Sequence, residues 1–110
     1  MTLQKLYDIL SSTGIPTTYY DWHGEKPPKP PYIAYFVIGS NNFSADNHVY
    51  SAICNVRIEL YTAKKDIETE KIIENVLKDF FWDKSEVYIK STQSFMISYD
   101  ISIITNTTKE

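Results

Sequence analysis

A chain of 110 residues, 43% hydrophobic, 15% aromatic and 23% charged, has the length and composition of one folded domain spanning 1–110, with Tyr and Phe in excess. A net charge of −3 and a pI near 5.3 leave no surplus of cations to neutralise duplex phosphates, so free nucleic acid is not the first partner to expect. The single cysteine, Cys54, closes no internal disulfide and builds no zinc cage, and no apolar run nears the ~20 residues of a membrane span.

The opening MTLQKLYDIL spaces Leu3, Leu6, Tyr7 and Leu10 along one helical face, with Thr2 as cap and Gly14 and Pro16 as the stop. It lacks the cationic start and continuous apolar core of a secretion signal, which points to a protein kept inside a cell. IPTTYY at 15–20 reads as a short strand, rich in β-branched and aromatic residues. DWHGEKPPKPP at 21–31 holds four of the five prolines and is expected to be an extended, polyproline-like path that no central strand can follow. PYIAYFVI at 31–38 reads as a core strand bounded by Gly39, and NNFSADNHVY at 41–50 as a polar loop. From Val49 to Thr62 the chain alternates, Cys54, Val56, Ile58 and Leu60 on one side and Asn55, Arg57 and Glu59 on the other. Two strands joined by that loop make an extended hairpin whose arm projects beyond the sheet.

Asp66 is placed to cap a second helix running to about Trp82, with Glu68 and Glu70 in its first turn. Its apolar arc is Ile72, Ile73, Val76, Leu77 and Phe80, and Lys71, Glu74, Asn75 and Lys78 line the solvent side. EVYIKS at 86–91 and FMISYDISII at 95–104 form a second hairpin, with Phe95, Ile97, Tyr99, Ile101 and Ile103 facing one way. The expected fold is α+β: a two-layer sandwich of a mainly antiparallel sheet with a long β-hairpin, a main helix packed on it and a short N-terminal helix.

Chemistry-bearing constellations are sparse. Asp46, Asn47 and His48 are consecutive, so their side chains diverge on an extended chain and hold no ion without help; His23 is the only other histidine. A pocket built from His23, Asp46 and His48 defines the alternative reading, a small enzyme or ligand-binding domain. Against it, Asn41, Asn42, Asp46 and Asn47 are ordinary turn formers. Glu68, Glu70 and Glu74 fall on what reads as the solvated flank of the second helix, with Glu74 four residues before Lys78 as a surface pair. Gly14, Gly24 and Gly39 stand alone and make no phosphate loop, and no serine sits in a nucleophile-elbow sequence. PPKPP carries PxxP spacing that a groove of a partner domain could read, though a stiff lead-in to the next strand explains it as well. Trp22 and Phe43, on loops, are the aromatics expected to stay exposed and mark an interface.

The order of a short helix, PPYIAYF, NNFSADNHVY, NVRIELYTAKKD, a Glu- and Lys-rich helix and SEVYIKSTQSFMISYDISI resembles the tail terminator (tail completion) proteins of long-tailed phages and prophages of low-GC Gram-positive bacteria. The most specific stretches are FSADNHVY and IELYTAKKD, similar to the family's F-x-A-D-x-x-x-Y and I-E-L-Y-T-x-x-K-D runs; PPKPP matches no family feature. The resemblance implies a virion protein without catalytic residues, metal or cofactor. It implies a homo-oligomeric ring, commonly a hexamer, on the last disc of the tail tube, between the major tail tube protein and a head-completion or connector protein. DNA then passes only as cargo, and no membrane is involved. Contacts fall to residues 40–50 and 21–31: Phe43, Ser44, Asp46, Asn47 and Tyr50 first, Trp22 and His23 second. Another connector of the same virion is the neighbouring reading.

Overall fold

The computed structural model describes residues 1–45 and 48–105, and the side chains of 1–39 and 53–104. Helices α1 (Leu3–Ser11) and α2 (Ile67–Val76) pack on one face of a sheet made of β1 (Thr17–Tyr19), β2 (Tyr32–Ala45), β3 (His48–Thr62), β4 (Asp83–Ile89) and β5 (Ser94–Thr105). The strand order is β1-β2-β3-β5-β4, and every neighbouring pair is antiparallel except β1 with β2. This is the α+β sandwich that the alternation of residues implies.

The register explains the core. Tyr35, Ile58 and Tyr99 stand side by side across three strands, flanked on one side by the row Ile33, Leu60 and Ile97 and on the other by the row Val37, Val56 and Ile101. With period two, these rows share one face, and it is there that Leu6 and Leu10 of α1 and Ile73 and Leu77 of and just after α2 complete a single buried cluster. Leu6, Leu10, Ile33, Val56, Ile58, Leu60, Ile73, Leu77, Ile97 and Tyr99 are fully buried.

Local signals set the helix ends. The Thr2 hydroxyl accepts from the Lys5 amide at 3.1 Å and starts α1. Gly14, at φ 81°, turns the chain after the helix in a conformation a side chain would strain. The Asp66 carboxylate caps α2, accepting from the Thr69 amide at 3.1 Å and its hydroxyl at 2.7 Å; these bonds hold the Asp66 carboxyl below its ordinary range. Thr2→Ala is expected to cost about 1 kcal/mol, read as a lower denaturant midpoint with an unchanged slope.

Five expectations need correction. The 41–50 stretch is mostly ladder: β2 continues to Ala45 and β3 begins at His48, with Ala45 opposite His48 and register shifts at Val37/Gly39 and Phe43/Ser44. Pairing satisfies the backbone N–H and C=O groups that face the partner strand whatever the side chain, so a polar, Asn-rich segment can still be strand. Helix α2 ends at Val76 instead of Trp82. Leu77 and Asn75 close it with bonds from Phe80 and Lys78, and the chain turns early to pair Asp83–Ile89 with β5, three residues before the expected start of that strand. Ile72 is 45% exposed. The buried stripe of α2 instead runs through Glu70, Ile73 and Leu77, so Glu70 does not lie on a solvated flank.

Residues 20–31 are the crossover that a parallel β1–β2 pair requires, since the chain must return to the start of the sheet before laying β2 beside β1. Tyr20 packs on Phe36 and Trp22 edge-on to Tyr32, ring centroids 5.6 Å and 5.8 Å apart. Both partners belong to the sheet face opposite the helices, so the crossover lies over one end of that face.

Candidate interaction surfaces

Three features remain once the core is accounted for: a charged cluster between α2 and β4, the sheet face that no helix covers, and the arm of β2 and β3. The cluster is built by register. Lys84 stands opposite Tyr99 and Glu86 opposite Ile97, so both side chains share the helical face. Glu70 is 2% exposed, and its two carboxylate oxygens take Lys84 and Lys65 at 2.7 Å each. Lys65 also bonds Glu86, and Lys84 donates to Glu74 Oε2 at 2.7 Å, the same oxygen that accepts from the Tyr99 hydroxyl at 2.8 Å.

Burial alone pushes the Glu70 carboxyl up, but the hydrogen bonds and charges of the two lysines outweigh it and leave the carboxyl below its ordinary range. Lys84 balances the same forces, desolvation lowering it and its two glutamate partners raising it on balance. Burial, then the bond to Glu74, raises the Tyr99 phenol well above its usual range, so it remains a donor. With Glu70 and Glu74 of α2 both held by Lys84 of β4, the cluster fastens α2 to the sheet edge. These partners differ from the Glu74–Lys78 surface pair that the sequence suggests, and Glu70 falls three and seven residues before Ile73 and Leu77, in the spacing of a buried stripe.

The uncovered face carries rows of alternate residues. Tyr32 stacks on Tyr61 with centroids 4.9 Å apart, and the Tyr61 hydroxyl donates to Glu59 at 2.8 Å. Arg57 grips Asp100 in bidentate fashion, Nε to Oδ1 at 2.8 Å and Nη2 to Oδ2 at 3.1 Å. That pair neutralises one of two aspartates that the register sets opposite each other, Asp83 and Asp100. At one end of this face the crossover prolines and the Tyr32–Tyr61 stack border a groove of about 450 Å³ that reaches Ile89. At the other end, a cleft of about 660 Å³ lies where β5 runs on past β4, lined by Ile38, Asn55, Trp82 and Asp100 among others. Beside it Phe81 is 100% exposed.

The arm accounts for the 52 Å long axis of the molecule, against 30 and 25 Å in the other directions. Beyond Ala52 opposite Thr105, β2 and β3 continue among the described residues as a two-stranded ribbon. Phe43, Ser44, His48 and Tyr50 sit on these strands, but their side chains lie outside the described residues, as do Asp46 and Asn47 altogether.

The remaining predicted contact residues are placed by the structure. Trp22 is half-buried against Tyr32 rather than exposed, and its Nε1 is buried with no acceptor among the described residues. The His23 side chain is 77% exposed at φ 53°, its Nδ1 3.4 Å from Asp21. It follows the residue that packs on the first position of β2, whereas His48 pairs with the last. A 14-residue strand at ~3.3 Å per residue separates those ends by about 40 Å, so His23 is not brought to the end of the arm where His48 falls. Among the described residues no three His, Cys, Asp or Glu side chains group to hold a metal ion. No described helix is long and apolar enough to cross a membrane.

Comparison with known proteins finds no matching family model and no matching curated protein. Among solved structures, this chain is similar to a chain of the one titled "Virion of native gene transfer agent (GTA) particle", with a TM-score of 0.60 over 91% of this chain and 87% of that one, at 13% sequence identity. At that identity the likeness is one of fold, and it extends over nearly the whole of both chains.

Proposed function

We propose that this protein is a structural component of a phage-like virion, and within it a tail terminator. In this reading, copies assemble as a ring, taken as a hexamer, on the last disc of the tail tube, halt its growth and present it to a head-completion or connector protein. Assembly takes place in the cytoplasm of a Gram-positive host, and the protein performs no catalysis. The observation that carries the reading is the fold likeness, over 91% of this chain, to a chain of a virion particle, joined to the family-like FSADNHVY and IELYTAKKD runs. The long ribbon of β2 and β3 supports it too, because a projecting arm reaches a neighbour that a rounded domain would not.

The contacts assigned to the arm are Phe43, Ser44, Asp46, Asn47 and Tyr50, and the weaker candidates Trp22 and His23 belong to the crossover at the other end of β2. Phe43→Ala is expected to leave thermal unfolding of the isolated chain unchanged while weakening assembly by more than about 1 kcal/mol, as loss of an interface anchor does. Melting of the isolated chain would instead place Phe43 in the core. The net charge of −3, repeated around a ring, makes the lumen repel passing DNA; a strongly basic lumen in a solved ring would overturn that part.

The direct test adds the purified protein to polymerising tail-tube protein from the same genome. Arrested tubes with the protein at one end are the expected result. Tubes of unaltered length with no bound protein would refute the terminator role, and binding to the head-side protein alone would assign the chain to another connector level.

A further inference from the structure

We propose that Phe81 is the knob of a head-to-tail contact between two copies of this chain, seated in the proline and tyrosine groove of the neighbour. Phe81 is the one aromatic of the Phe80-Phe81-Trp82 run that the fold leaves out. Phe80 and Trp82 pack against the core, Trp82 edge-on to Tyr99 at 5.4 Å, and Phe81 projects wholly into solvent. Phe81 stands at the lining of the 660 Å³ cleft yet stays 100% exposed, so its burial adds little to the monomer, and a large apolar side chain held out in this way is the kind of anchor interfaces use.

The groove has the matching chemistry. Its walls are Pro27, Pro28, Pro30, Tyr32, Tyr61 and Ile89, apolar or aromatic surfaces around about 450 Å³, roomy enough for a phenyl ring. The charges beside the two patches differ in sign on balance. Phe81 is bracketed by exposed Asp79 and Asp83, with the exposed Lys78 one position further, while four exposed lysines, Lys26, Lys29, Lys64 and Lys90, directly adjoin groove-lining residues in sequence, against one carboxylate, Glu59, on the Tyr61 hydroxyl. An acidic excess beside the knob and a basic excess beside the groove steer one copy toward the other and disfavour knob-to-knob encounters. This complementarity within one sequence argues for a second copy as the occupant.

The two patches also lie at opposite ends of the seven-residue β4, Phe81 just before its start and the groove around its last residue, about 20 Å apart at ~3.3 Å per residue. Different patches meeting in one contact make it heterologous, so that repeated copies build a ring or a filament rather than a closed pair. The contact rests on the self-assembly proposed above and names the surfaces that perform it.

The test is sedimentation equilibrium from micromolar to millimolar protein on the wild type, on Phe81→Ser, which lacks the knob, and on Ala63→Trp, which fills the groove from an exposed lining position. Circular dichroism and denaturant midpoints should match the wild type for both variants. Wild type is expected to associate with concentration, and each variant alone to associate at least about tenfold more weakly. An equimolar mixture of the two should give a 1:1 dimer and stop there, because only one knob and one groove remain competent. Wild type that stays monomeric at millimolar protein would overturn both the self-assembly and this contact. Wild type that assembles while Phe81→Ser assembles as tightly, or variants that fail to pair when mixed, would overturn this contact alone.

Discussion

Tyr99→Ala is expected to destabilise the protein by about 4 kcal/mol, the middle of the range for emptying a large buried aromatic site. Tyr99 is fully buried at the middle of β5 and packs edge-on against Trp82. Its ring also lies under the Lys84 ammonium, 5.9 Å from the centroid, and its hydroxyl donates to Glu74. Removing the side chain takes away core volume and leaves a half-buried carboxylate oxygen short of one donor. Tyr99→Phe separates the two effects, since it keeps the ring and loses only the hydroxyl, at a cost of about 1 kcal/mol. Urea denaturation of the three proteins measures both differences. If Phe and Ala cost the same, the hydroxyl bond rather than the packing carries the site. A loss of this size is a large share of the 5–15 kcal/mol typical of a domain, so Tyr99→Ala should be largely unfolded in warm, mildly denaturing buffer.

Glu70→Ala is the second large effect, expected at about 3 kcal/mol, the bottom of the range for breaking a buried ion pair. The low end applies because Lys65 and Lys84 are partly exposed and keep Glu86 and Glu74 as partners. The pH dependence follows from the direction of the shifts. The Glu70 carboxyl is lower in the folded chain than its ordinary value of 4.5, so its contribution is complete above that value and is lost as pH falls through the lower folded value. Lys65 and Lys84 are raised above 10.5 in the folded chain, Lys65 chiefly by its bond to Glu70, and their contribution is lost only as pH climbs beyond that ordinary value. Stability measured from pH 7 downward should therefore fall less steeply in Glu70→Gln than in the wild type below about pH 4.5, after starting lower. Parallel acid limbs would mean that Glu70 is not the titrating group.

Much of this architecture was legible because its determinants are local. The alternation from Cys54 to Leu60 and from Phe95 to Ile103 identified the core face of two strands, and a capping threonine and a turning glycine bracketed the first helix. What escaped was set by partners distant in the chain. The polar 41–45 segment is strand because β3 stands beside it, and α2 stops short because Asp83–Ile89 is claimed by β5. Glu70 looked solvated until Lys65 and Lys84 arrived from either side to make its burial tolerable. The interaction surfaces divide in the same way. Sequence pointed to the arm and to Trp22, but Trp22 is spent holding the crossover on Tyr32. Phe81 left a signal that was not used: three aromatics in succession at the end of a helix cannot all face one core. The groove left none, since its lysines and prolines meet Ile89 only through the fold.

The crossover that returns the chain from β1 to β2 has one more consequence. Proline's ring fixes φ, so a wall built from Pro27, Pro28 and Pro30 has little rotational freedom to surrender when another surface presses against it. A wall of flexible loop would have to be frozen at the moment of docking, at an entropic cost that subtracts from affinity. Here that ordering was completed when the monomer folded, which leaves even a small contact area able to hold a neighbour.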